Sequence, residues 1–562
     1  MSETKKKISW KFLGILGGLA IAVAGGAYIY HKFILGEALT PLDAAKLVPD
    51  KALMATYISN DQETLSKIKE FGTPEAQKIL SEGFTDLFPN ITEDSDINYN
   101  DDIKPWLGNI MFAILPETEG KENDNVLMVI GITNKLKALE FSKKSEELLK
   151  DLEKITYKDY SISNGITEED DSLSFALVND YLVVASEEEG IKSSIDSFQG
   201  ENSLANQMKK EDLVNQSLSL KNPLAQIYFP NYSNFMEVFL EEVEKATSEE
   251  DLEDLEEIPE DFYEELFAQL QNIDSLMIGV GLEEEGFHFQ GITQFSDDFD
   301  LSYLQATDSK VLNEFPSETF LLVTGKGINK IWSSTVKELE KVPVVKDYLD
   351  EGRQAFKEEL NLDLDKDIFG WLDQEFAFGM IHSTEGSLGM FGVGGALALE
   401  TSDRTTGENT INTLMDFFEP ELSPYIVSSE TKIEDINVTQ WKTPFQEEIV
   451  GFGWKEKDLF LMTFGTSFGN FMRLNKEESL VKSENFKAIT QSLPKDNLGY
   501  FYFDMKPVRS ILQSISQLTG EGIPIEAQAF LDSFKGVAMT STLPQDNITQ
   551  VDMIFSLEKV EK

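Results

Sequence analysis

Residues 102–114 read DIKPWLGNIMFAI, and residues 367–380 read DIFGWLDQEFAFGM. In both, Asp-Ile leads through a turn to a tryptophan, Trp106 or Trp371, and the tryptophan opens an apolar run of strand character. Two such specific stretches about 265 residues apart are the mark of an internal duplication, and the flanking sequence extends the match. Upstream, VPDKALMATYI with Pro49 pairs with FPSETFLLVTG with Pro316, a proline turn entering a strand in each case.

Downstream, VLMVIGI from Val126 precedes a stretch read as helical, with Leu136, Leu139, Leu148, Leu149 and Leu152 along it. Its counterpart is ALALE from Ala396, followed by Ile411, Leu414, Met415 and Phe418 at i, i+3, i+4 and i+7, one apolar face of a helix. LSFALVNDYLVVAS turns at Asn179-Asp180, and EEIVGFGWKEKDLFLMTFG turns between Lys455 and Asp458, so both read as hairpins. LAQIYF with Tyr228 then matches LGYFYF with Tyr502. The halves close on the strand pairs DSLMIGVGLEEEGFHFQGITQF and FKGVAMTSTLPQDNITQVDMIFSL. Hairpins interspersed with amphipathic helices predict an α+β fold of two tandem repeats, each a curved antiparallel sheet with helices packed on one face.

The chain begins differently. Residues 12–30, FLGILGGLAIAVAGGAYIY, are uncharged and apolar, the length a helix needs to cross a bilayer. Lys5, Lys6, Lys7 and Lys11 precede them, so the positive-inside bias predicts a cytoplasmic N-terminus. The expected organisation is a basic N-terminus at 1–11, a transmembrane helix at 12–32, a linker helix at 33–47, repeat 1 at 48–300 and repeat 2 at 301–562. Thr40 is the expected N-cap of the linker helix, with Pro41 at its first position. Within repeat 1, residues 236–270 (MEVFLEEVEKATSEEDLEDLEEIPEDFYEELFAQL) form an acidic insertion read as a solvated helical hairpin. This organisation predicts a single-pass membrane protein whose bulk lies outside the cytoplasm.

Acidic residues outnumber basic ones by 100 to 48, giving a net charge of −52. Such a field repels phosphate backbones, so nucleic acid is excluded as a partner. The chain has no cysteine, which removes disulfides, thiolate nucleophiles and Cys-type metal sites.

Three short motifs are weighed against plainer readings. Gly465-Thr466-Ser467-Phe468-Gly469 has the form of a nucleophile elbow, but the histidines are His31, His288 and His382, and none follows Ser467. A tight strand-to-helix turn explains the glycines. Asp363, Asp365 and Asp367 alternate as in a calcium loop, but Ile368 stands where that loop needs glycine, and Gln374 where it needs glutamate. Here, and at Asp94, Asp96, Asn98 and Asn100, a polar capping turn is preferred. Gly392-Val393-Gly394-Gly395 lacks the third glycine of a dinucleotide fingerprint and reads as a bulge or close contact in a strand. No catalytic, cofactor-binding or metal-ligating residue is assigned.

The repeated proline-turn-strand element and the D-I-x-x-W-L element resemble an uncharacterised, mainly cyanobacterial family of membrane-anchored envelope proteins, domain of unknown function 3352. The resemblance implies a plasma or thylakoid membrane anchor with a periplasmic or thylakoid-lumenal domain, and brings no catalytic residues. The functional expectation is a non-enzymatic binding or scaffolding module, tethered by its N-terminal helix and facing a membrane or envelope protein partner. The alternative is a carrier of lipid or another hydrophobic ligand, which needs a large apolar cavity. A serine hydrolase using Ser467 is the second alternative.

Overall fold

The computed structural model describes residues 40–74, 77, 99–116, 125–147, 149–166, 172–200, 202–210, 220–246, 270–422, 424–456, 458–520 and 524–559. They divide into two compact units, the first running to Ala246 and then from Gln271 to Phe295, the second from Ser296 to Glu558. The first unit contains β1 (Met54–Ile58), β2 (Leu107–Leu115), β3 (Asn125–Ile132), β4 (Lys150–Tyr157), β5 (Tyr160–Ile166), β6 (Ser172–Val178), β7 (Tyr181–Ala185), β8 (Pro223–Phe229), β9 (Ile273–Glu283) and β10 (Gly286–Phe295). The second contains β11 (Thr319–Lys326), β12 (Glu375–His382), β13 (Val393–Glu400), β14 (Val427–Ile433), β15 (Ile436–Lys442), β16 (Glu448–Lys455), β17 (Leu459–Phe464), β18 (Tyr500–Asp504), β19 (Phe534–Gln545) and β20 (Ile548–Leu557).

Every pairing within a unit is antiparallel. In the first the order is β10-β9-β8-β1-β2-β3-β7-β6-β5-β4. In the second it is β20-β19-β18-β11-β12-β13-β17-β16-β15-β14, the same path through ten strands. The sequence landmarks fall on matching places. Pro49 bridges Ser203 and Pro316 bridges Ser479. Leu204 N–H donates to the Val48 carbonyl at 2.8 Å, and Leu480 N–H to that of Phe315, also at 2.8 Å. Tyr228 stands opposite Ala55, and Tyr502 opposite Leu322.

Strand side chains alternate between faces, so each sheet has two. On the first face of the second unit, Leu322, Ala377, Ala396, Ala398, Leu461, Tyr502 and Ala538 form a closed core with Phe468 and Phe471 of the Phe468–Glu477 helix and Ile489 of the Glu484–Thr490 helix. The first unit does the same with Ile191 and Ile195 of the Glu188–Gln199 helix, both fully buried.

Two fold expectations are corrected. Helices are not confined to one face. Ile411 and Met415 of the Arg404–Leu422 helix pack with Leu397, Leu399, Phe452, Phe460 and Met462 on the other face, and Ala138 and Phe141 of the Lys135–Glu147 helix pack with Met128, Ile130 and Phe175 in the first unit. The physical reason is that the second face is apolar too and needs cover. The stretch 136–152 is likewise not one helix: it ends at Glu147 and β4 follows, leaving Leu136 and Leu152 exposed.

The expected anchor is also corrected. Residues 12–32 lie outside the described residues, and among the described residues no helix is long and apolar enough to cross a membrane. The longest, Arg404–Leu422, carries Arg404, Glu408, Asp416, Glu419 and Pro420 and is apolar along one side only, which suits a sheet and not a bilayer. Among the described residues the fold is thus antiparallel sheet, ten strands in each unit, with helices on both faces and no spanning helix. The single-pass placement, with its periplasmic or thylakoid-lumenal body, is set aside with the anchor.

Candidate apolar binding face

The register fixes what the second face displays. In the second unit one cross-strand row reads Met553, Met539, Phe501, Val323, Phe378, Leu397, Met462 and Phe452, passing through β20, β19, β18, β11, β12, β13, β17 and β16. The next row reads Phe555, Val537, Phe503, Leu321, Met380, Gly395, Phe464 and Val450 over the same strands. No polar side chain interrupts either. An antiparallel sheet with one covered face ordinarily presents polar residues on the other.

Cover is incomplete on this face. On the core face Leu322 and Ala377 are 0% exposed, while their neighbours Val323 and Phe378 on the second face are 38% and 37% exposed. These two sit on β11 and β12, in the middle of the strand order, whereas the Arg404–Leu422 helix covers the β13, β17 and β16 end. Phe378 stacks on Phe464 with ring centroids 5.8 Å apart. The Phe464 ring lies so close over Gly395 that a Cβ there would come within 2.0 Å of Cζ, so any side chain at this place in the row would have to displace the ring. The first unit carries the equivalent row, Ile278, Ile227, Thr56, Phe112, Met128, Val184 and Phe175, with Ile278 45% exposed.

The composition is chemically telling. Methionine adapts its shape to varied apolar partners, and phenylalanine offers flat area at low entropic cost. Exposed apolar area that is contiguous marks a place of interaction. The arrangement can hold apolar surface.

The motifs noted in the sequence have structural occupations. Ser467 Oγ accepts the Asn470 N–H at 3.0 Å as the N-cap of its helix and donates to Glu385 Oε2 at 3.3 Å. His382 is not among its hydrogen-bond partners, and the hydroxyl is placed as a cap. Beneath it, buried Glu448 accepts the Phe468 N–H at 2.8 Å and the Gln440 amide at 2.7 Å. Loss of solvation raises its pKa above the ordinary carboxylate value.

Asp363 Oδ1 accepts the Lys366 N–H at 3.0 Å, and Asp367 Oδ2 the Asp363 N–H at 2.7 Å. Asp365 accepts Arg353 Nε at 2.8 Å and Trp332 Nε1 at 2.7 Å. All three carboxylates therefore serve protein donors. Gly392 has φ +73° and turns the chain into β13. Asp94, Asp96, Asn98, His31 and residues 247–269 of the acidic insertion lie outside the described residues.

The apolar face itself escaped the sequence reading. Its signal was present: FAFGM, ALALE and YFYF are apolar at successive positions, where a half-solvated strand would alternate.

No curated protein matches the chain. Two solved structures match weakly. "Structure of crystal form IV of TP0453" is 9% identical with a TM-score of 0.22, covering 46% of this chain and 81% of its own. "Structure of crystal form III of TP0453" is 11% identical with a TM-score of 0.23, covering 47% and 83%. Likeness at that level bears on neither fold nor function. The family model described as "Protein of unknown function (DUF3352)" matches residues 12–557, nearly the whole sequence, and the chain belongs to that family.

Proposed function

We propose that this chain is a non-enzymatic binding module that takes a long apolar chain, of the kind lipids carry, along the half-open second face of its sheets. The observation that carries the reading is the uninterrupted apolar row through Val323 and Phe378, each more than half covered yet still open to water. A strip of partly covered side chains forms a shallow seat, which suits a narrow flexible chain better than a broad rigid surface. The net charge of −52 disfavours an anionic headgroup and leaves a neutral or zwitterionic one.

The test is displacement. The purified chain is mixed with the uncharged dye N-phenyl-1-naphthylamine, and a neutral long-chain alcohol is titrated in. A dye signal that rises with native protein and falls with the alcohol supports the reading, while a dye signal seen only near the thermal midpoint contradicts it.

A second reading, docking of a protein partner, rests on a separate observation. Ser387 N–H donates to the Glu448 carbonyl at 3.0 Å, tying the loop before β13 to the start of β16. That loop carries Met390, 70% exposed, and the turn before β16 carries Phe445, 88% exposed. Apolar side chains held in water on loops are common anchors for a partner. Affinity capture with the wild-type chain and with a Met390→Asp/Phe445→Asp variant distinguishes this reading, because only loop docking loses a partner on that change.

A further inference from the structure

Each strand path ends on an edge strand, β4 in the first unit and β14 in the second, and among the described residues these pair only with β5 and β15. The two edges differ. On β4 the register slips between Lys150 and Glu153, Asp151 sits at φ +51°, and the strand carries Lys150 and Lys154. A bulge and lysines are the ordinary devices that keep an edge from pairing. β14, VSSETKI, has no proline, keeps an unbroken register with β15 from Val427 to Ile433, and is exposed along most of its length.

The hairpin fixes which backbone groups face out. β14 and β15 join through the two-residue turn Glu434-Asp435, so the flanking residues Ile433 and Ile436 are a hydrogen-bonded pair, and bonding alternates back along the strand. Val427, Ser429 and Thr431 therefore bond to β15, while Ser428, Glu430 and Lys432 turn their N–H and C=O groups to the open side. Side chains sort in the same way. Ile433 packs on the first-face core, so Val427, Ser429 and Thr431 share that face, and Ser428, Glu430 and Lys432 lie on the second. Lys432, the only base on the strand, lies 3.7 Å from Asp435 beyond its end.

The geometry points to β14 as a docking edge that takes an extended cationic peptide as an added strand, one that alternates basic and apolar residues. Main-chain pairing with Ser428, Glu430 and Lys432 supplies the affinity, and the alternation supplies the specificity. Basic side chains stand beside Glu430 on the second face, and apolar ones beside the exposed Val427 and the half-buried Ile433 on the first. The net charge of −52 favours a cationic strand over a second copy of this chain. Antiparallel self-pairing centred on Glu430 would moreover set two carboxylates opposite each other. The edge depends neither on the apolar face nor on the Met390 and Phe445 loops.

Fluorescence anisotropy on the full chain, with a labelled heptapeptide that alternates lysine and valine as the probe, tests the assignment. Saturable binding is expected. The fully N-methylated peptide keeps the charge and lacks every N–H donor, and should bind at least about tenfold more weakly. Glu430→Pro removes the outward N–H at the middle of the edge without touching a β14–β15 bond, and should cost about tenfold. Glu430→Gln keeps that N–H, removes the charge, and should cost about threefold. Should Glu430→Pro lose its native melt, Glu430→Gln and the methylated peptide still decide. Overturning results are no binding, equal binding of the two peptides, or unchanged binding by folded Glu430→Pro protein. A dimer of the peptide-free chain in light scattering that Glu430→Pro dissolves would assign the edge to a second copy and overturn the proposal as well. Folded Glu430→Pro protein should bind the dye as wild type does, so failure of the apolar-face reading and failure of this one are separable.

Discussion

Replacing Phe378 with serine perturbs the middle of the apolar row and leaves the closed core beneath it untouched. At 37% exposure, a phenylalanine of roughly 200 Å² leaves on the order of 75 Å² open to a ligand. Covering that area is worth about 2 kcal/mol at ~25 cal/mol per Å², so the variant should bind an apolar chain roughly thirtyfold more weakly. The part already covered contributes to folding, and its loss should cost about 2 kcal/mol of stability once compactness of the unfolded chain is allowed for. Dye titration below the melting range, with the denaturation midpoint measured on the same sample, separates the two effects. Phe445→Ser is the control: it is 88% exposed and lies on a loop, so it should alter neither. Folded Phe378→Ser protein that bound dye as tightly as wild type would refute the reasoning.

Other consequences follow from particular contacts. Gly395→Ala drives a methyl into the Phe464 ring and should destabilise by about 1–3 kcal/mol, with partial recovery when Phe464→Leu is added; thermal melts of the single and double variants check this. Ser467→Ala removes a helix cap and should cost about 1 kcal/mol without changing dye binding, and Ser467→Asp should restore the loss; a serine nucleophile would instead show as lost turnover. Glu448 has a folded pKa raised above its unfolded value by burial, so the stability it contributes is complete below the unfolded value and declines as pH climbs through the folded one. Glu448→Gln should therefore gain on wild type between acid and neutral pH in denaturant titrations, and a gap constant with pH would contradict this.

Much of the strand path could be read from the chain because its signals are local. Asn179 adopts φ +53° in the turn between β6 and β7, which is why Asn-Asp marked that hairpin. Trp106 is held by its indole N–H to the Asp102 carbonyl at 2.6 Å, so in the first copy D-I-x-x-W closes on itself, whereas in the second Thr410 takes the Asp367 carbonyl. Thr40 Oγ accepts the Asp43 N–H, as its place before Pro41 suggested. The lost features are those that depend on distant partners. Leu136 and Leu139 have helical spacing, yet the side that meets the sheet carries Ala138 and Phe141, and Leu152 belongs to a strand. The second apolar face arises from which strands lie side by side, with Val323 meeting Phe378 and Phe501 across gaps of more than fifty residues.

Photolabelling with a diazirine-bearing long-chain alcohol, followed by peptide mapping, tests the apolar-face account most directly. Adducts should concentrate on the peptides carrying Val323, Phe378 and Phe501, and should be lost on competition with the unmodified alcohol. Adducts confined to the Met390 and Phe445 loops, or labelling that competitor leaves unchanged, would contradict it.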